Sequence, residues 1–276
     1  MSTNLIITAL WLAQSLPPTI PPEEIQKGQV GECRTVFEGQ QIESFPFVVK
    51  GVMKNYLGPN RDLILIRLND DRTRHTGVVS GMSGSPCSID GRLAGALAYA
   101  FASFAKEPIA GITPIADMEA VWDIKETKLP WQRQQATNDT EWQALKDGVA
   151  GATSLPGNKV SRPITTPLSL SGFTPELLNH FSPWLEGQGF IPLAAGSNAK
   201  GMSKQALEPG SAVAAVLVHG DVNIAATGTV TAVEDSRVLA FGHPFLGVGP
   251  LSIPMAQAEI INTMVSAHRS FKMSIT

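Results

Sequence analysis

Two places in the 276-residue chain hold residues able to do covalent chemistry together. One is Ser83, in Gly81-Met82-Ser83-Gly84-Ser85-Pro86, and the other is His243, in Phe241-Gly242-His243-Pro244. A serine hydroxyl is barely ionised at neutral pH, so it becomes a nucleophile only when a base takes its proton. Histidine titrates in the right range to be that base. A Gly-x-Ser-Gly turn sets the hydroxyl at a sharp bend. It also aims backbone N–H groups, here those of Gly81 and Ser83, at one point, the geometry of an oxyanion hole. Glycine-serine turns are common, and a purely structural turn built of small residues is the competing reading. Ser85 is read as structural.

Five histidines are available as bases. His75 lies in the charged run Asn69–His75, His219 precedes a Gly-Asp turn, and His268 sits near the end of an expected helix; these read as surface residues. His180 lies beside an apolar helical stripe and reads as a packing residue. His243 follows a strand-hairpin-strand unit, where rigid backbone can aim the ring into a cleft. An acid is needed to hold the imidazole. Asp70 and Asp71 precede Ser83, Asp235 precedes His243, and Glu259 follows it. Neither a Gly-rich phosphate loop nor a zinc-ligand spacing occurs, so neither cofactor nor metal is expected. Gly-x-Ser-x-Gly is absent as well, which gives no support to an α/β-hydrolase elbow.

The elements that must position these residues read as short strands. Hydrophobic residues make up 43% of the chain and charged residues 16%, with 25 glycines and 20 prolines. Such a composition implies many turns and a globular core. Strands are expected at Ser44–Met53, Asp62–Leu68, Arg92–Ala102 and Glu107–Ala116. A second group is expected at Ala212–His219, Val222–Ala232 and Arg237–Phe241, with a hairpin at Glu234-Asp235-Ser236. A short helix is expected at Asp117–Ile124. Thr174-Pro175-Glu176 is a helix start, followed by Leu177, Leu178, Phe181, Trp184 and Leu185 on one face. Pro254–His268 is expected to be helical, with Met255, Ala258, Ile261 and Val265 on one side.

The organisation expected is residues 1–25 as a signal or extended segment, 26–124 as a β-barrel half with the serine, 125–170 as a linker or surface excursion, and 171–276 as a second β-rich half with the histidine. The apolar run Leu5–Ala13 is too short to span a bilayer but fits the core of an export signal, though no lysine or arginine precedes it. The net charge of −3, without a basic cluster, argues against nucleic acid. The two cysteines, Cys33 and Cys87, are read as buried free thiols.

The phrase Val79-Ser80-Gly-Met-Ser-Gly-Ser-Pro86, followed by Asp90-Gly-Arg-Leu-Ala-Gly-Ala-Leu97, resembles the serine motif of SpoIVB-type serine peptidases, and its form is that of chymotrypsin-like nucleophile segments. Gly228-Thr-Val-Thr231 leading into Val238-Leu-Ala-Phe-Gly-His-Pro244 is similar to that family's histidine motif. The resemblance implies Ser83 as nucleophile and His243 as general base. Asp70 is the nearest match to the family's acid. The order of the two motifs is reversed relative to the sporulation peptidase, and no PDZ module is visible. The implied fold is mostly β: a trypsin-like double β-barrel, circularly permuted, with a few short helices.

The activity implied is that of a serine endopeptidase acting on a protein or peptide substrate, or on itself, in the cell envelope or beyond it. The alternative is a non-catalytic β-barrel binding or scaffold module descended from such a peptidase. The two differ in whether His243 is brought to Ser83.

Overall fold

A computed structural model describes residues 16–101, 106–123, 161–195, 205–245 and 252–276. The apolar run at 5–13, the two tryptophans Trp131 and Trp142, and most of the expected linker lie outside the described residues. The architecture is mostly β, as expected. Six antiparallel strands form the first unit: β1 (Val30–Val36), β2 (Ile42–Gly58), β3 (Arg61–Leu68), β4 (Pro86–Ile89), β5 (Arg92–Phe101) and β6 (Ile109–Pro114). Their order is β4-β1-β2-β3-β6-β5, and β5 pairs back onto β4, so the strands close a ring. Closure follows from sequence. In β2, Phe45, Phe47 and Val49 alternate inward, as do Ile64, Ile66 and Leu68 in β3, and all are buried. The ring's other wall is β5, whose small residues Ala94, Ala96 and Ala98 are buried along with Leu93, Leu97 and Tyr99.

Cys33 and Cys87 face each other across β1 and β4, and they form a disulfide. The expectation of free thiols is corrected here. The residues are 54 apart in sequence, and only the pairing of β1 with β4 brings them together, which spacing alone does not show. The proline-rich lead-in docks beside β5: Leu93 N–H donates to Pro18 C=O at 2.7 Å, and Ile20 N–H donates to Leu93 C=O at 3.1 Å. Ile20 enters the ring's core.

The second unit is an open sheet among the described residues. It comprises β8 (Thr166–Ser171), β9 (Phe190–Ala194), β10 (Ala212–Val218), β11 (Asn223–Glu234) and β13 (Met255–Gln257), in the order β13-β10-β11-β8-β9. A sixth strand, β12 (Arg237–Ala240), pairs with β11 around the expected hairpin. The capped helix is present as α3 (Pro175–Gly187), with Thr174 accepting from Leu177 N–H. It links β8 to the parallel β9 as a crossover. Pro183 is accommodated inside α3 rather than ending it. The other α-helices among the described residues, α1 (Asp71–Thr76) and α2 (Ile115–Glu119), are short. The helix expected at Asp117–Ile124 is instead α2 followed by a 3-10 turn over Ala120–Asp123.

The helix expected at Pro254–His268 does not form. That stretch is β13 and β14 (Glu259–Met264), and β14 pairs with β15 (Phe271–Ile275). Its residues Ile260, Ile261 and Thr263 are β-branched, which suits the pleated surface. Strand alternation leaves Ile260 buried and Ile261 exposed. The 3.6-residue pattern was a coincidence of apolar residues in two adjoining strands. Ile260 and Ala258 join Val36, Ala212, Ala214 and Ala225 in one cluster, so β14 packs the ring against the second sheet.

Candidate active site

The Gly81–Pro86 turn sits between α1 and β4, and its own hydrogen bonds make it rigid. Met82 N–H donates to Val79 C=O at 3.1 Å, Ser85 N–H to Met82 C=O at 2.9 Å, and Gly84 N–H to Leu97 C=O at 2.8 Å. The Ser85 hydroxyl donates to Met82 C=O at 2.6 Å, which is the structural role expected of it. Met82 is fully buried and pins the turn to the ring's core. Among the described residues, no backbone hydrogen bond engages the amides of Gly81 and Ser83. Those are the two N–H groups an oxyanion hole would use.

The Gly228-Thr-Val-Thr231 segment of β11 grips this turn directly. Thr229 N–H donates to Ser83 C=O at 2.8 Å. The Thr229 hydroxyl donates to Gly81 C=O at 2.9 Å, and the Thr231 hydroxyl donates to Gly84 C=O at 2.7 Å. Residues two apart on a strand share a face, so a Thr-x-Thr pair presents both hydroxyls to one partner. Gly84 has φ 94°, and a Cβ there would stand 2.0 Å from Thr229 O and 2.4 Å from Phe241 N. Only glycine permits that approach.

His243 follows β12 through Phe241 and Gly242, both at positive φ. The Thr113 hydroxyl donates to Gly242 C=O at 2.7 Å, and a Cβ on Gly242 would meet the Ala96 methyl at 2.8 Å. The histidine's backbone is therefore held against β5 and β6, beside the strand that receives Gly84. Its Nδ1 lies 3.0 Å from Pro244 C=O. A carbonyl only accepts, so Nδ1 carries the proton and Nε2 presents a lone pair. Among the described residues the buried Nε2 has no hydrogen-bond partner and neither has the Ser83 hydroxyl, so the two are not hydrogen-bonded to each other. Burial lowers the pKa of His243 below the usual histidine value, while the nearby main-chain groups of Pro244 and Ile164 oppose the shift. The net direction keeps the ring neutral near pH 7, the form a general base needs.

A third component was not anticipated. Lys272 of β15 is 0% exposed, and its ammonium donates to the Thr35 hydroxyl at 2.6 Å. Thr35 and Thr229 hydroxyls are 3.3 Å apart. Because Thr229 spends its proton on Gly81 C=O, Thr35 is the donor between them. A directed chain of donors thus runs from Lys272 through Thr35 and Thr229 to the turn. The strand carrying Lys272 is fixed to the same turn: Ser80 N–H donates to Ser270 C=O at 2.8 Å, and Lys272 N–H to Ser80 C=O at 3.0 Å. Desolvation lowers the Lys272 pKa to about 7. The only sign in sequence is that Ser270, Lys272 and Ser274 alternate with Phe271, Met273 and Ile275; in the structure it is the polar set that is buried.

Asp70 lies elsewhere. Its carboxylate is the N-cap of α1, accepting from Thr73 N–H at 2.8 Å and also from the Thr73 hydroxyl. Asp71 pairs with Arg74, Asp235 turns the β11–β12 hairpin, and Glu259 opens β14. The interactions of His243 among the described residues are with main-chain groups. A cleft of about 250 Å³ opens beside the ring, lined by Arg162, Thr166, Gln188, Phe190, His243 and Arg269. Among the described residues no cluster of His, Cys, Asp or Glu is suited to a metal ion.

Residues 12–113 match the SpoIVB peptidase S55 family. The match supports the kinship with SpoIVB-type serine peptidases that the hexapeptide suggests, and it marks the chain as related to peptidases. It takes in Ser83 and the ring and leaves His243 outside. No curated protein and no solved structure matches the chain.

Proposed function

We propose that the chain is a serine endopeptidase in which Ser83 is the nucleophile and His243 the general base. One observation carries this reading: of six buried side-chain polar atoms left without partners among the described residues, two, Ser83 Oγ and His243 Nε2, belong to turns that touch at Gly84 and Phe241. An unsatisfied buried polar group costs about 1–3 kcal/mol and calls for a reason. Two of them on adjoining loops, one a potential donor and the other a lone pair, have a reason if they exchange a proton during reaction. The Ser83 oxygen attacks a peptide carbonyl and its proton passes to Nε2. The carbonyl oxygen takes the negative charge opposite the Gly81 and Ser83 amides. Nε2 then returns the proton to the leaving amine, the C–N bond breaks, and water releases the acyl group by the same route. The Pro244 carbonyl holds the productive tautomer, the task an acid such as Asp70 performs in the expected triad.

The test is labelling by a fluorophosphonate probe. Labelling at Ser83, abolished in Ser83→Ala and strongly slowed in His243→Ala, is expected. A folded protein that does not label under any condition overturns the assignment.

One observation favours the non-catalytic alternative: Ser83 is 0% exposed. An envelope scaffold would have no need of an open serine. Export also belongs to the proposal, and the Cys33–Cys87 disulfide supports it, because such bonds persist in oxidising compartments. Cell fractionation followed by N-terminal sequencing of the mature chain checks this.

A further inference from the structure

We infer that the C-terminal half of β5, Ala98–Phe101, which β4 does not cover, is a docking edge for an extended peptide substrate, and that residues 161–165 of the chain occupy it as a built-in competitor. This rests on the serine peptidase reading.

β7 (Ser161–Pro163) is an added strand outside the ring. It pairs antiparallel with β5, placing Pro163 opposite Tyr99, Arg162 opposite Ala100 and Ser161 opposite Phe101. The pairing continues one residue further, where Ile164 N–H donates to Ala98 C=O at 2.8 Å. The neighbouring carbonyl on β5, Leu97 C=O, receives Gly84 N–H of the nucleophile turn at 2.8 Å. Gly242, next to His243, packs over Ala96 and Ala98. The segment therefore ends its pairing where the serine turn and the histidine turn converge.

Ile164 is 2% exposed and shares a cluster with Val79 and Met82, the residues flanking and within the turn. Its backbone also acts on the His243 ring. Arg162, Ile164 and Thr165 line two cavities at once, of about 250 and 170 Å³, one containing His243 and the other Ser80. They form a wall that divides one cleft into two.

Pairing onto a sheet edge gives affinity through main-chain hydrogen bonds, and side-chain pockets give selectivity. A substrate taking the place of 161–165 would be extended, and would offer an Ile- or Val-sized residue to the pocket filled by Ile164. β7 has three residues, and Pro163 withholds an N–H from its outer edge, so a second strand gains little by adding there. So short a strand is displaceable. The complete burial of Ser83 then describes a closed state of the cleft.

Three proteins test this through the rate of fluorophosphonate labelling at Ser83. Ile164→Ala empties the pocket and loosens the strand, and it is expected to label at least tenfold faster than wild type. Ala100→Cys/Arg162→Cys, at directly opposed positions, locks β7 onto β5 when oxidised. The locked form is expected to label at least tenfold slower, with mild reduction restoring the rate. The lock keeps the test valid if Ile164→Ala misfolds. Equal labelling of wild type and the oxidised lock overturns the inference and leaves the serine peptidase reading intact. A complete lack of labelling, with or without the lock, overturns both.

Discussion

Lys272 provides a measurable consequence of burial in this fold. It is buried on β15 against the serine turn, with the Thr35 hydroxyl as hydrogen-bond partner and, among the described residues, no carboxylate paired with it. Its pKa is about 7 in the folded chain, against 10.5 for an ordinary lysine. The unfolded chain thus holds one more proton than the folded chain between those two values. Stability rises with pH wherever the unfolded state binds more protons, by about 1.4 kcal/mol per unit for one proton. Below pH 7 both states carry the charge and the penalty is constant. Above the unfolded value neither carries it, and the penalty is gone. From pH 7.5 to 9.5 the gain works out at roughly 2 kcal/mol for a single proton. Urea unfolding, with the disulfide intact, should show the midpoint moving up by an amount on the order of 1 M over that range. Lys272→Met keeps the length of the side chain and removes the charge. It should match or exceed wild-type stability at pH 7.5 and show a flat profile. The scan stays above the range of His243, whose lowered pKa acts in the same sense at lower pH. It also stays below that of Tyr99, raised by burial. Equal slopes for the two proteins would refute the claim that desolvation neutralises Lys272.

Three further outcomes follow from the site. Gly84→Ala forces a methyl onto Thr229 O and Phe241 N, so it should cost several kcal/mol in denaturant unfolding and abolish fluorophosphonate labelling as well. Asp70→Ala removes the cap of α1 and should cost about 1 kcal/mol of stability, with the labelling rate at Ser83 unchanged; a hundredfold loss of labelling would restore Asp70 as the triad acid. Because burial lowers the pKa of His243, labelling rate should be flat at neutral pH and fall only with a midpoint below 6.5; a midpoint above 7 contradicts the neutral, buried ring.

The serine and histidine motifs were legible because each is built of residues that only a special backbone needs. Gly84 cannot carry a side chain against Thr229, and Gly242 cannot against Ala96, so these glycines mark a contact as well as a turn. What the linear pattern could not give was the pairing of distant strands. Cys33 meets Cys87 through β1 and β4, and apolar spacing in 254–268 imitated a helix because two short strands abut there. The charged run at 69–75 concealed α1, although Asp70 and Thr73 form a capping box. Lys272 escaped notice because a lysine is ordinarily solvated.

The grip of Thr229, Thr231 and β15 on residues 80–84 also bears on synthesis. A chain emerging from the ribosome presents the hexapeptide long before residues 229–243 and 270–272 are available. The N-terminal ring can pair its strands meanwhile, but these contacts to the serine turn must wait, since contacts of such long range form late. A nascent chain therefore carries the serine without the parts that shape and arm it. On the serine peptidase reading, hydrolytic competence would be acquired in a single late step, when the second sheet docks, and an incompletely translated chain would pose no proteolytic hazard to the machinery making it.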